Sequence, residues 1–265
     1  MRAVIRYFSG TGNTRYGAEL FAERLKGMGY SVSCESIETA GPILEEMDLL
    51  VIGGPVMAGN VPEQLIRWVL RSVPSVSRGD ALVFTTSAGL ENAHGVHSLA
   101  RKLAKKGFRV VGQPVFEMPR NYYFGRYEPT PAEDQRRLAA ELPGKVAGAL
   151  ADIGNGSPPV PLQGKGKTLT QDLTAELFGL IARGMGKKFT SFPGDCIGCG
   201  RCIRECPRQN IRANPAGGVV FQGRCMLCTR CIHHCPAHAI GYGGVKYARY
   251  SGPPGREPEK VRRSN

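Results

Sequence analysis

Eight of the nine cysteines lie between residues 196 and 235, and this stretch limits what the chain can fold into more than any other. The pattern C-x2-C-x2-C-x3-C-P occurs in it twice, 29 residues apart: Cys196, Cys199, Cys202 and Cys206 before Pro207, then Cys225, Cys228, Cys231 and Cys235 before Pro236. Cysteines at x2 intervals let one tight loop place three thiolates around a cubane. We expect a short helix to begin at the fourth.

This spacing predicts two [4Fe–4S] clusters. Zinc sites pair two C-x2-C knuckles across a wider gap and need no third cysteine two residues further on. A disulfide framework belongs to small secreted domains, and no signal peptide is recognisable at the start of this sequence.

The repeated run resembles that of bacterial ferredoxins, in which the fourth cysteine of each repeat ligates the other repeat's cluster. The resemblance implies that cluster one is held by Cys196, Cys199, Cys202 and Cys235, and cluster two by Cys225, Cys228, Cys231 and Cys206. Five arginines lie among the ligands and are expected to raise the cluster potentials: Arg201, Arg204, Arg208, Arg224 and Arg230.

The N-terminal stretch predicts an anion-binding loop between a strand and a helix. Residues 2–8 are apolar and rich in β-formers, and a helical pattern follows the loop. Backbone N–H groups, hydroxyls and a helix N-terminus bind anions, and here they come from Ser9, Gly10, Thr11, Gly12, Asn13 and Thr14. The loop has no lysine and is not a Walker A motif, so the terminal phosphate of a mononucleotide fits it better than a triphosphate.

Strand and helix patterns alternate up to residue 150. We expect further strands over 30–35, 48–53, 81–86 and 108–115, and helices over 61–70, 95–106 and 131–150. Alternating strands and helices form a parallel sheet covered on both faces, with ligands beyond the carboxyl ends of the strands. The predicted fold class is α/β, a doubly wound five-stranded parallel sheet, followed by a small α+β two-cluster domain.

The loops at those strand ends resemble the loops by which flavodoxins hold FMN. The sequence S-G-T-G-N-T at 9–14 is similar to the flavodoxin phosphate loop, and the loops at 53–62 and 86–95 match the two that hold the isoalloxazine ring. The resemblance implies flavin contacts from Pro55, Val56, Met57, Ala58, Gly59, Thr86, Ser87, Ala88, Gly89, Asn92 and Gly95.

The ring loops depart from the flavodoxin pattern because neither contains an aromatic residue to stack on the flavin. Met57 can pack on a ring through its polarisable sulfur. Asn121, Tyr122 and Tyr123, just after the fifth strand pattern, are expected to supply a lid. His94 and His97 follow the third loop, where either could donate to the ring, although a surface position is the simpler interpretation.

The whole chain is similar to bacterial and archaeal flavodoxin–ferredoxin fusion proteins, which are iron–sulfur flavoproteins. The implied divisions are a flavodoxin-like FMN-binding domain over 1–150, a linker with a helix over 151–190, a ferredoxin domain with two [4Fe–4S] clusters over 191–250 and a polar tail over 251–265. Leu173, Leu177, Leu180 and Ile181 of the linker helix are expected to pack between the domains. The tail is expected to be poorly ordered or to lie on the surface.

Three side chains near the second repeat carry no predicted ligand role. Because cysteines already satisfy the ligand spacing, His233 and His234 are interpreted as lying behind the ligands or in solvent. His238 is interpreted as exposed. Elsewhere, Cys34 falls in a strand pattern and is interpreted as an inert buried thiol.

The chain has a net charge of +13. We expect this positive charge to compensate the negative charge of the clusters and to attract an acidic redox partner protein. No nucleic-acid recognition motif accompanies the scattered basic residues, so nucleic acid is not expected as a partner. No apolar run reaches the roughly 20 residues that span a bilayer. The need for thiolates indicates a reducing, cytoplasmic setting.

Three functions are compatible with these cofactors. The first is electron transfer between the two [4Fe–4S] clusters, FMN and a partner protein. The second is an FMN-dependent reductase of a quinone, nitro compound or similar small acceptor, and the third is a redox or iron–sulfur sensor. The direction of electron flow stays open. So does a homodimer, which would be needed if the clusters lay too far from the FMN of their own chain.

Overall fold

The computed structural model describes residues 1–77, 79–89, 95–125, 127–154 and 177–253. Its first six strands are β1 (Arg2–Tyr7), β2 (Ser31–Ser36), β3 (Leu49–Pro55), β4 (Asp80–Ser87), β5 (Arg109–Gly112) and β6 (Val115–Glu117). They form one parallel sheet in the order β2-β1-β3-β4-β5, with β6 also paired to β4. This is the strand order of flavodoxin-like doubly wound sheets, so the predicted fold class is confirmed.

Helices cover both faces of the sheet. One face carries α1 (Asn13–Gly27) and α4 (Ala132–Gly154), and the other carries α2 (Glu63–Ser72) and α3 (Gly95–Lys105). Successive strand residues point to opposite faces, and the two cores separate accordingly. For example, Val51 packs in the core with α1 and α4, whereas Ile52 packs in the core with α2 and α3.

The fifth position of the sheet is filled by two short strands rather than by one strand over 108–115. The pairing of β4 with β5 shifts register between Ala81 and Leu82. Pro114 then interrupts the edge, because proline has no N–H to donate to the ladder. Its carbonyl still accepts from the N–H of Thr85 at 3.1 Å. Strand β6 then resumes the pairing at Val115.

The C-terminal unit contains two small antiparallel sheets of two strands each, together with the cysteine repeats. In it β7 (Phe189–Ser191) pairs with β10 (Ile240–Tyr242), and β8 (Ile211–Ala213) pairs with β9 (Val219–Phe221). It is preceded by helix α5, over 177–186. Two one-turn helices, α6 (Arg201–Arg204) and α7 (Arg230–His233), belong to the two repeats.

The short helices contain the third cysteines and end before the fourth. Gly200 and Thr229 adopt left-handed conformations, with φ of 66° and 60°, directly before α6 and α7. These turns start each helix one residue before Cys202 or Cys231. The expectation that a helix begins at the fourth cysteine is therefore wrong.

Helix α5 presents a different face to the interior from the one predicted. Leu177, Leu180 and Ile181 are exposed, at 56%, 61% and 50%. The inward stripe consists instead of Phe178, Ala182 and Met185, which pack on the aromatic core of the C-terminal unit. These positions follow the i, i+4, i+7 spacing of one helix face. Leu173 and the linker before it lie outside the described residues.

The two units share a hydrophobic core. Tyr123 and Phe124, from the segment after β6, are buried against Phe189, Ile232 and Tyr242 of the C-terminal unit. Residues 247–253 continue this packing, and the Tyr250 side chain is buried. The first residues of the predicted tail thus lie against the protein, while those from 254 onward lie outside the described residues. Within the described part of the chain, no helix is long and apolar enough to cross a membrane.

Candidate functional site

A cavity of about 650 Å³ opens where β1, β3 and β4 end and the C-terminal unit begins. The cavity brings together most of the predicted flavin-site residues, namely Ser9, Gly10, Thr11, Asn13, Thr14, Pro55, Val56, Met57, Ala58, Thr86, Ser87 and Ala88. Its volume is in the range of small-molecule sites.

The other predicted flavin-site residues are placed elsewhere. Gly12, Gly59, Gly89 and Gly95 do not line the cavity, and Asn92 lies outside the described residues. Gly95 starts α3 where the helix passes close to the backbone of Asn60. His94 also lies outside the described residues, and His97 Nδ1 lies 2.7 Å from Gln113 Oε1.

Two cavity-lining residues of the loop at 9–14 have N–H groups that are not paired with any described residue. Among the described residues, the N–H groups of Gly10 and Thr11 have no hydrogen-bond partner, although both residues are buried. Buried N–H groups are rarely left unpaired. Helix α1 begins at Asn13, so its first N–H groups are also directed to this end of the sheet. This donor set fits a phosphate group, as in FMN.

Hydrogen bonds from three parts of the chain fix the loop. Asn121 Nδ2 donates to Thr11 Oγ1 at 2.7 Å, and the Tyr250 hydroxyl donates to Asn13 Oδ1 at 2.5 Å. The hydroxyls of Thr14 and Thr86 lie 2.7 Å apart and join the first and third loops. The shape of the loop is therefore fixed by hydrogen bonds from residues outside it.

His233 connects two of these supports. Tyr250 N–H donates to His233 Nδ1 at 3.0 Å, so the ring proton is on Nε2, which donates to the carbonyl of Asn121 at 2.7 Å. Burial lowers the pKa of His233 to about 4, and the neutral ring is the form that this pattern requires. His233 and His234 are both buried, so a position in solvent is wrong for them. His238 is half-buried, with Nε2 2.6 Å from the carbonyl of Tyr247.

The aromatic surface absent from the ring loops comes from other parts of the chain. Tyr122, one of the residues predicted to supply a lid, lines the cavity. Tyr123 is instead buried in the shared core and donates its hydroxyl to the carbonyl of Ala248. Sequence reasoning missed several further lining residues, which are Arg120, Phe124, Tyr127, Phe178, Met185, Lys188, Leu227 and Tyr242. Leu227, Phe178 and Tyr242 are far from the flavin loops in sequence, so no local pattern could have identified them.

Two smaller cavities lie among the cysteines. One of about 60 Å³ is lined by Cys196, Cys199, Cys202 and Cys235. The other, of about 20 Å³, is lined by Cys206, Cys225, Cys228 and Cys231. These are the two crossed sets that the ferredoxin resemblance implies, and four thiols around one space fit the donor set of a [4Fe–4S] cluster. Burial raises the pKa of the Cys228 thiol to about 12, so iron must displace a proton to bind there.

The second repeat lies directly against the flavin loop. Gly10 approaches the backbone of Cys228 so closely that a Cβ atom at this glycine would lie 2.8 Å from the Cys228 carbonyl oxygen. Leu227, beside Cys228, lines the large cavity of the same chain. The second repeat therefore adjoins the flavin site of its own chain, and a homodimer is not needed to bring the two together.

Polar side chains also join the two repeats. Glu205 precedes Cys206 and His234 precedes Cys235, and the Glu205 carboxylate lies 2.7 Å from His234 Nδ1. Arg201 Nε donates to the other carboxylate oxygen at 2.8 Å. Burial alone would raise the pKa of Glu205, but the hydrogen bonds from His234 and Arg201 outweigh it and lower that pKa.

Comparisons with known protein families agree with this architecture. A family model described as a flavodoxin domain matches residues 4–111, and one described as a 4Fe-4S dicluster domain matches residues 190–244. Fold and site together define an electron-transfer iron–sulfur flavoprotein with FMN and two [4Fe–4S] clusters as its cofactors. One polypeptide therefore carries a flavodoxin domain followed by a 4Fe-4S dicluster domain, which is the arrangement of a flavodoxin–ferredoxin fusion.

Three similar solved structures are flavodoxins, and each covers somewhat more than half of this chain. An archaeal flavodoxin is 17% identical, with 56% of this chain and 99% of that chain covered and a TM-score of 0.40. Flavodoxin 1 from Bacillus cereus is 20% identical, with 57% of this chain and 98% of that chain covered and a TM-score of 0.41. A mutant Fusobacterium nucleatum flavodoxin bound to flavin mononucleotide is 14% identical, with 59% of this chain and 96% of that chain covered and a TM-score of 0.43. No curated protein sequence matches the chain.

Proposed function

We propose that the protein exchanges electrons with a partner protein at cluster one and that cluster two connects cluster one with FMN. When bound, the clusters supply one-electron chemistry and FMN supplies one- or two-electron chemistry. One observation carries the proposal: Leu227 and Cys228 of the second repeat border the flavin site, whereas Ile197 and Cys199 of the first repeat are exposed. The direction of flow is open.

The surface around cluster one supports an acidic partner. Between residues 177 and 253 the sequence has eleven lysines and arginines but only two acidic residues, Asp195 and Glu205. Lys246 pairs with Asp195 at 2.7 Å, and Glu205 is buried beside Arg201 and His234. Complementary charge speeds the encounter of two proteins and fixes their orientation. A small acidic one-electron carrier therefore matches this face.

Arg204 is the cation best placed to test docking. It is exposed, and its guanidinium donates to the carbonyl of Cys199 at 2.9 Å. We expect Arg204→Glu to slow electron exchange with a reduced acidic iron–sulfur carrier by about tenfold at low salt, with the difference shrinking at high salt. The matched control is Arg137→Glu on α4, an exposed arginine of the flavodoxin domain.

Stopped-flow kinetics on anaerobically purified protein would measure this exchange, after iron, sulfide and FMN have been quantified per chain. Equal rates for the two charge-reversal variants at every salt concentration would contradict docking at cluster one. About eight iron atoms and about one FMN per chain are expected.

We also propose a reducing, cytoplasmic setting, because all eight ligands must remain thiolates.

A second candidate function is supported by the shape of the flavin cavity. Its lining includes Tyr122, Tyr127, Phe178 and Lys188, three aromatic rings and a cation that suit a small aromatic acceptor. In this case the protein is an FMN-dependent reductase of a quinone or nitro compound. Steady-state assays with a panel of such acceptors distinguish the candidates, since a reductase shows saturable turnover that the variant Phe178→Ala weakens.

A further inference from the structure

We propose that Arg230 is a positioning residue for the flavin site: from the ferredoxin side, it orients the backbone N–H groups that hold the FMN phosphate. Arg230 lies between two cluster-two ligands, Cys228 and Cys231, and is 1% exposed. Its guanidinium does not point to solvent or stay within its own domain. It enters the flavodoxin domain beneath the phosphate loop and contacts the ring of Phe8 at 5.8 Å.

The guanidinium holds two carbonyl groups of the phosphate loop. Arg230 Nη2 donates to the carbonyl of Ser9 at 2.5 Å, and Nε donates to the carbonyl of Gly10 at 3.0 Å. Nη1 also donates to the carbonyl of Glu205 at 2.8 Å. One side chain therefore ties the flavin loop to the segments that carry Cys206 and Cys231.

Because of peptide geometry, these hydrogen bonds also fix the directions of the N–H groups of Gly10 and Thr11. In a planar trans peptide the C=O and N–H bonds point in opposite directions. The carbonyl of Ser9 shares a peptide plane with the N–H of Gly10, and the carbonyl of Gly10 shares one with the N–H of Thr11. Because Arg230 holds both carbonyls, both N–H groups are turned to the opposite side. These are the two buried N–H groups that have no partner among the described residues.

Glu38 compensates the charge of the buried Arg230 guanidinium. Its carboxylate accepts from Nη1 at 3.0 Å and from Nη2 at 2.6 Å, and its side chain is fully buried. A bidentate pair of this kind compensates both charges, whereas removal of one partner leaves the other uncompensated. The pair also fixes the plane of the guanidinium, and hence the directions in which it meets Ser9 and Gly10.

The sequence duplication provides an internal control. Arg201 occupies in the first repeat the position that Arg230 occupies in the second, since each directly precedes the third cysteine. Arg201 pairs with Glu205 within the ferredoxin domain at 2.8 Å. Of these two equivalent arginines, Arg230 donates to the flavin loop and Arg201 pairs within its own domain.

The test compares the affinities of FMN and riboflavin for flavin-depleted, iron-loaded protein. Riboflavin lacks the phosphate, so the ratio of the two dissociation constants isolates the contribution of the phosphate loop. Arg230→Lys keeps the positive charge beside Glu38, but a single ammonium group cannot reproduce the planar fork that reaches both carbonyls. We expect it to weaken FMN binding by about tenfold or more and to change riboflavin binding by less than about twofold.

The control Arg201→Lys is expected to leave both affinities unchanged. A second variant, Glu38→Gln with Arg230→Met, removes both charges and leaves no uncompensated ion. It should show the same selective loss of FMN affinity, whether or not the iron content falls.

The inference rests on the proposal that loop 9–14 holds the FMN phosphate, and the two can fail separately. Equal affinities of the wild-type protein for FMN and riboflavin would overturn the phosphate site and the role of Arg230 together. A wild-type preference for FMN that persists in both Arg230 variants would overturn the role of Arg230 alone. An equal loss of both flavins would also overturn it, because that result indicates general damage to the cavity.

Discussion

The two cysteine repeats have the same ligand spacing but opposite surroundings. In the first, Ile197 is 67% exposed and Cys199 is exposed. In the second, the residues at the same positions are Met226, which packs on the core of the flavodoxin domain, and Cys228, whose carbonyl lies against the flavin loop. One repeat is therefore open to solvent, and the other lies against the flavin cavity.

The residues between the ligands create this difference. Gly198 of the first repeat corresponds to Leu227 of the second, which is 4% exposed and lines the flavin cavity. Arg204 corresponds to His233, which is buried in the hydrogen-bond network around the phosphate loop. The cysteines thus specify that a cluster forms, while the other positions determine what lies next to it.

The largest expected effect is the loss of one ligand from each repeat. Cys228→Ser and Cys199→Ser should each lower the iron content from about eight to about four atoms per chain. Only Cys228→Ser should also weaken FMN binding, by about tenfold, because the loop that carries Leu227 and Arg230 is then no longer held by a cluster. Iron analysis and flavin titration of both variants measure this. Equal retention of FMN would show that the two repeats are equivalent for the flavin.

A second comparison concerns the isoleucine that follows the third cysteine. Ile232 is fully buried in the core shared by the two domains, whereas Ile203 is only half-buried. We expect Ile232→Ala to lower the free energy of unfolding by about 2–5 kcal/mol and Ile203→Ala to lower it by less. Anaerobic urea unfolding, followed by circular dichroism and cluster absorbance, tests this. A larger loss for Ile203→Ala would contradict the assignment of the second repeat to the shared core.

The sequence predicts the cofactors better than it predicts their connection. The cysteine spacing predicts two clusters, and its resemblance to bacterial ferredoxins implies both ligand sets. The strand pattern identifies the parallel sheet and its three ligand-facing loops, because these features are local and periodic. Arg230 is different. Its guanidinium contacts residues about 220 positions away, and nothing near it in the sequence distinguishes it from Arg201. The apolar face of α5 is mispredicted for a related reason, since Phe178 and Met185 are selected by an aromatic core assembled from distant segments.

The smallest expected effect comes from the segment that follows the second repeat. Tyr250 joins His233 to Asn13, through its N–H and its hydroxyl respectively. Tyr250→Phe removes the hydroxyl and leaves Asn13 Oδ1 without this bond, which corresponds to about 1 kcal/mol and about a fivefold weaker FMN affinity. The matched control is Tyr247→Phe, whose hydroxyl accepts from the N–H of Gly125 at 3.3 Å. If both variants bind FMN equally well, the segment after the second repeat packs on the phosphate loop without contributing to its affinity. The functional difference between the repeats would then lie within the repeats themselves.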